Sequence, residues 1–188
     1  MNNGKGSIIL LTIIAVCTLL VAVVGATFAY FSVTMTNGES GTTIEVTSGT
    51  LSIEYDGDSK MNASNLNPGD VVTKNITVSG NVTGSTNLYY LTDLEIKNNT
   101  YRDGALVYTI TSTNTSNNGT TITSTTEPIA IPSGTSTLKL GEGSFAGPTT
   151  GSLSHDYVVT ISLVNTGEDQ SADLNQTFEA NFKLSDKK

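Results

Sequence analysis

Two patterns of hydropathy divide the chain. From Ile8 to Val24 there is no charged residue, and only Thr12 and Thr18 interrupt the apolar run. Farther on, apolar and polar residues alternate in short stretches, at 43–46, 50–55, 71–79, 88–97, 106–113, 120–126, 137–140, 157–164 and 177–184. In the third of these, Val72, Ile76 and Val78 fall on one side and Val71, Thr73, Asn75 and Thr77 on the other. A period of two puts successive side chains on opposite faces, so each stretch predicts a half-buried β-strand. No helical period persists beyond the apolar run.

Between the strands stand residues that make turns for stated reasons. Asp56-Gly57, Asn67-Pro68-Gly69-Asp70, Asn118-Gly119, Gly141-Glu142-Gly143 and Gly147-Pro148 predict corners. In the second of them Pro68 presets φ at the first corner position and Gly69 permits φ > 0 at the next. The region 112–126, rich in Thr, Ser and Asn, predicts a strand pair with a loose turn. Such spacing predicts an all-β fold with a single β-sandwich, jelly-roll in preference to immunoglobulin-like.

The apolar run is an export segment rather than part of this fold. A secretory signal has a centre of about 7–15 apolar residues, and a permanent span needs roughly 20. Thr27-Phe28-Ala29 supplies the small residues that a signal peptidase reads, which predicts cleavage between Ala29 and Tyr30. The alternative is a retained anchor contacting the membrane through residues 8–29. Lys5 is the only cation on the N-terminal side and predicts that the body lies outside the cell. The expected organisation is a signal peptide or anchor at 1–29, a flexible segment at 30–41 and the sandwich at 42–188.

Composition then narrows the function. All 17 acidic residues lie after Ala29 and Lys5 is the only one of nine basic residues before it, so residues 30–188 carry a net charge of −9. A surface of that sign repels phosphate backbones, which argues against a nucleic-acid partner. The single cysteine, Cys17, lies in the export segment, so the body forms neither a disulfide nor a thiolate metal site.

GATFAYFS at 25–32, SGTLSIEY at 48–55 and SNLNPGDVVTKNITV at 64–78 resemble the TasA/camelysin family of exported Gram-positive proteins. The ending QTFEANFKL at 176–184 is similar to that family's closing strand. The resemblance implies a jelly-roll domain, processing by a signal peptidase of the SipW type, and a place in biofilm matrix fibres. It further implies self-association, each subunit giving its N-terminal strand to the next. The residues suit this expectation: Phe31, Val33 and Met35 alternate with Ser32, Thr34 and Thr36, and Gly38 and Gly41 form a hinge before the first strand.

Camelysin-like members are classed as zinc metallopeptidases, the rival expectation. Catalytic zinc takes about three protein ligands with an open fourth position. The only histidine, His155, has no HExxH partner and reads as a polar residue at a strand start. No GxSxG elbow is present. Asp56-Gly57-Asp58-Ser59 lacks the later glutamate and flanking helices of a calcium loop. The expectation is therefore a non-enzyme without cofactor. Tyr89, Tyr90 and Tyr101, if exposed, would form a sugar-stacking surface, which makes a carbohydrate-binding adhesin the other alternative.

Overall fold

The computed structural model describes residues 12, 14–16, 18, 42–46, 49–112 and 119–187. The chain divides into two units, Met1–Thr34 and Met35–Lys188. In the first, the described residues are helical, and the Thr18 hydroxyl donates to the Ile14 carbonyl at 2.8 Å. Among the described residues no helix is long and apolar enough to cross a membrane.

In the second unit, strands β1 (Thr42–Val46), β2 (Gly49–Tyr55), β4 (Val71–Val82), β9 (Leu153–Leu163), β6 (Leu106–Ser112) and β7 (Ile129–Ala130) form a six-stranded sheet in that spatial order. A four-stranded sheet packs on it as a sandwich, in the order β3 (Lys60–Asn62), β10 (Phe178–Asp186), β5 (Leu88–Asn99) and β8 (Ser136–Phe145). All pairings are antiparallel. The sandwich forms because alternation gives each sheet one apolar face that must leave water. Ile53, Val78, Val159 and Ile110 from one sheet, and Leu94, Ile96, Ala180 and Phe178 from the other, are buried in one core. Each such large side chain contributes ~1.5–3 kcal/mol on full burial.

The fold corrects several sequence expectations. Residues 120–126 are not a strand: Thr120 makes an isolated bridge to Ser144, and Ser124 and Thr125 hydrogen-bond to β6, partly through their side chains. Their Thr and Ser hydroxyls compete with a regular ladder for the same backbone partners. Gly141-Glu142-Gly143 is no corner but lies inside β8, where the register against β5 shifts between Thr92 and Asp93. Glycine here marks a bulge rather than a turn. The short strands β3 and β7 carry too few residues to show a period.

Candidate functional site

A buried polar cluster joins the two sheets. On β5, Tyr90 points inward from the four-stranded sheet, while His155 and Tyr157 point inward from β9 of the six-stranded sheet. The Tyr90 hydroxyl lies 2.7 Å from His155 Nδ1 and shares a hydrogen bond with the Tyr157 hydroxyl. The Ile122 N–H donates to the Tyr157 oxygen at 3.0 Å. A backbone N–H can only donate, so one order lets each hydroxyl give once and take once: Ile122 to Tyr157, Tyr157 to Tyr90, Tyr90 to His155 Nδ1. That order makes Nδ1 an acceptor. The imidazole also stacks on Phe145 with ring centres 4.2 Å apart. Gly143 is required here, since a Cβ would overlap the Tyr90 hydroxyl.

Burial holds the Tyr90 hydroxyl far above its ordinary pKa, with the neighbouring Tyr157 adding to the effect. Tyr157 is also raised by burial, partly opposed by its bonds to Tyr90 and Ile122. Both are therefore neutral donors and acceptors, and the cluster has the chemistry of a structural tie. His155 stands near the start of β9 and is fully buried.

At one end of the sandwich lie the turn 67–70 and its supports. Gly69 has φ = +93°, the Asp70 N–H donates to the Asn67 carbonyl at 2.9 Å, and Asp70 Oδ2 accepts from the Asn67 N–H at 2.8 Å. Pro68 sits at the first corner. Beside the turn, the buried Tyr101 hydroxyl donates to the Ala63 carbonyl at 3.0 Å and accepts from the Leu66 N–H at 3.1 Å. Asp173 is buried, and Arg102 Nη2 meets its Oδ2 at 2.6 Å. The Arg102 hydrogen bonds hold the Asp173 carboxyl below its ordinary pKa, against the opposing effect of burial. A surface cavity of about 210 Å³ borders this pair, lined also by Asp103, Val164, Thr166 and Gln170. Its polar groups are already engaged: Gln170 bonds Thr166 N and the Val164 carbonyl, and Asp103 bonds Ser133 N.

The sugar-stacking surface does not exist as expected. Tyr90 and Tyr101 are buried, and only Tyr89 is exposed. Alternation along β5 decides this for Tyr89 and Tyr90, because adjacent tyrosines must face opposite ways. The 56–59 segment is a turn in which Gly57 has φ = +91° and Asp58 Oδ1 accepts from the Lys60 N–H at 3.0 Å. Ala29, Tyr30, Phe31, Val33, Met35, Gly38 and Gly41 lie outside the described residues. The interior tie through Tyr90, His155 and Tyr157 was missed by sequence reasoning. Its one signal was the apolar-parity position of His155 and Tyr157 within an alternating strand.

The model of the camelysin metallo-endopeptidase family matches residues 8–123, more than half of the chain. The chain belongs to this family. It is the TasA/camelysin family, whose members are exported or surface-associated. Against curated proteins the sequence finds no match.

The family's description implies a catalytic metal. The matched stretch ends at Thr123 and contains no histidine, while His155 lies beyond it. His155 is buried with Nδ1 against the Tyr90 hydroxyl. Among the described residues no three of His, Cys, Asp and Glu are grouped to hold a metal ion. The donor set of a catalytic zinc site, about three ligands with an open position, does not fit these residues.

Proposed function

We propose that this camelysin-family chain is an exported, non-catalytic structural subunit of a bacterial surface or extracellular matrix fibre. The observation that carries the reading is the place of its only histidine, locked in the core between the sheets instead of facing solvent. Family membership supports export and a matrix-related role. The jelly-roll reading of the sandwich is supported by the path of the chain. From β2 onward every connection between consecutive strands changes sheet, except that from β6 to β7.

In this reading a signal peptidase cuts between Ala29 and Tyr30, and residues 30–36 leave their own subunit on the Gly38 and Gly41 hinge. Phe31, Val33 and Met35 then complete the sheet of a neighbour. Each apolar side chain contributes ~1.5–3 kcal/mol when fully buried, set against the cost of ordering the segment and of association. A head-to-tail contact does not close on itself, so the product is an open filament.

The test is electron microscopy of the secreted protein and of a variant lacking residues 30–41. The variant is expected to keep the melting profile of the parent and form no fibres; fibres of unchanged width and spacing would refute strand donation. Metal analysis and a casein assay on the same preparations test the non-catalytic part. Zinc at one per chain, with cleavage lost in His155→Ala, would overturn it.

A further inference from the structure

The tie between the sheets is built for an uncharged imidazole. Because the Ile122 N–H can only donate, the order Ile122 to Tyr157, Tyr157 to Tyr90, Tyr90 to His155 leaves Nδ1 as an acceptor, 2.7 Å from the Tyr90 oxygen. A proton on Nδ1 would reverse the last bond. Tyr90 would then accept from the ring and donate to Tyr157, whose oxygen already takes the Ile122 N–H, so the Tyr157 proton would lose its acceptor in the cluster. The new charge would also stand in the core, since His155, Tyr90 and Tyr157 each have 1% or less of their surface exposed. The inward side chains set against the ring are neutral. Phe145 of β8 stacks on it, Tyr90 reaches it from β5, Tyr157 follows through Tyr90, and Val78 of β4 is its partner in register. Asp156, next to it on β9, takes the opposite parity and accepts from the Thr77 hydroxyl at 2.7 Å. Stacking on an aromatic face attracts a cation, but by less than a buried, unpaired charge costs.

We infer that this tie is an acid-sensitive latch: one proton taken up at His155 breaks it, so the two sheets hold together at neutral pH and loosen in mild acid. The unfolded chain binds a proton on its imidazole below a pH of about 6.5, whereas the folded chain takes that proton only by breaking the tie. Stability is therefore full above that value and falls below it, by about tenfold in the folding constant for each pH unit. The chain has a single histidine, so one group carries the effect. Other charges pull the opposite way. With a net charge of −8 and a pI near 4.4, the chain sheds like-charge repulsion as acid neutralises it. Burial raises the Asp93 carboxyl, so its protonation in the folded chain also favours the fold as pH falls. Asp173, held low by Arg102, weakens the fold only in stronger acid. A loss of stability between pH 6 and pH 5 is thus the mark of the latch.

Urea unfolding of the full chain from pH 7.5 to pH 5, followed by circular dichroism, tests this for the parent and for His155→Gln. The parent's folding constant is expected to fall roughly tenfold between pH 6 and pH 5, and that of the variant to stay level or rise. The single histidine gives a second reading that needs no variant. In proton NMR the ring signal of the folded parent is expected to keep its neutral position down to pH 5. A ring signal that moves with a midpoint of about 6.5 in a chain that stays folded overturns the latch, and so does a parent whose pH dependence runs parallel to that of His155→Gln. Should the variant fail to fold, the ring signal and the parent's own loss between pH 6 and pH 5 decide: a signal that titrates, or a folding constant that does not fall, refutes the inference.

Discussion

Replacing Tyr101 by phenylalanine removes one oxygen atom and leaves the packing volume nearly unchanged. That oxygen lies in the interior and closes two backbone bonds, donating to the Ala63 carbonyl at 3.0 Å and accepting from the Leu66 N–H at 3.1 Å. Tyr101 has 1% of its surface exposed and Leu66 has 8%, so water cannot replace the hydroxyl without opening the 63–66 segment. An orphaned buried N–H costs about 1–3 kcal/mol, and the lost bond to the carbonyl about 1 more. The lower desolvation of phenylalanine offsets part of this, which leaves an expected loss of about 2–3 kcal/mol. For a body of this size each kcal/mol lowers Tm by about 2–4 °C, so a shift of roughly 5–10 °C is expected. Urea unfolding at pH 7, followed by circular dichroism with the slope held in common, measures the change directly. A loss below about 0.5 kcal/mol, the scatter of ordinary surface substitutions, would show that the hydroxyl does not hold this loop.

Three further outcomes follow from the same geometry. Gly143→Ala is expected to destabilise by about 1–3 kcal/mol in urea unfolding, because the added Cβ would crowd the Tyr90 ring and hydroxyl and the Thr120 carbonyl. Gly69→Val, at φ = +93°, is expected to lose about 1–3 kcal/mol in thermal unfolding. Asp173→Asn should lower stability at pH 7. Because Arg102 depresses the Asp173 pKa in the folded state, the stabilisation is present above the unfolded carboxyl value of about 4 and is lost as pH falls through the folded value. Parallel denaturation curves at pH 7 and pH 2.5 should therefore show the gap between parent and variant closing at the acid end.

Strand existence was legible in the sequence in the long alternating stretches of β4 and β9, though not at 120–126. The period of two is a property of the extended backbone itself, so Ile76, Val78, Val159 and Ile161 declared the buried face without reference to any neighbour. The Asn67-Pro68-Gly69-Asp70 corner was equally local, because proline and glycine restrict φ whatever surrounds them. Family membership was also legible, in the motifs before Val78.

Other features depended on which strands meet. His155 and Tyr157 occupy inward positions of β9, but only the pairing of the two sheets brings Tyr90 of β5 against them, 65 and 67 residues away in the chain. The same adjacency decided that Gly141 and Gly143 lie within a strand, since their missing side chains make room for Ile122 and the Tyr90 hydroxyl. It also decided that Asp173, one of several acidic residues in a polar stretch, is buried against Arg102. Backbone geometry is fixed over a few neighbouring residues and can be read from sequence. A polar group's partner is fixed by sheet order and register, which depend on residues far apart in the chain and so emerge only when the sandwich closes.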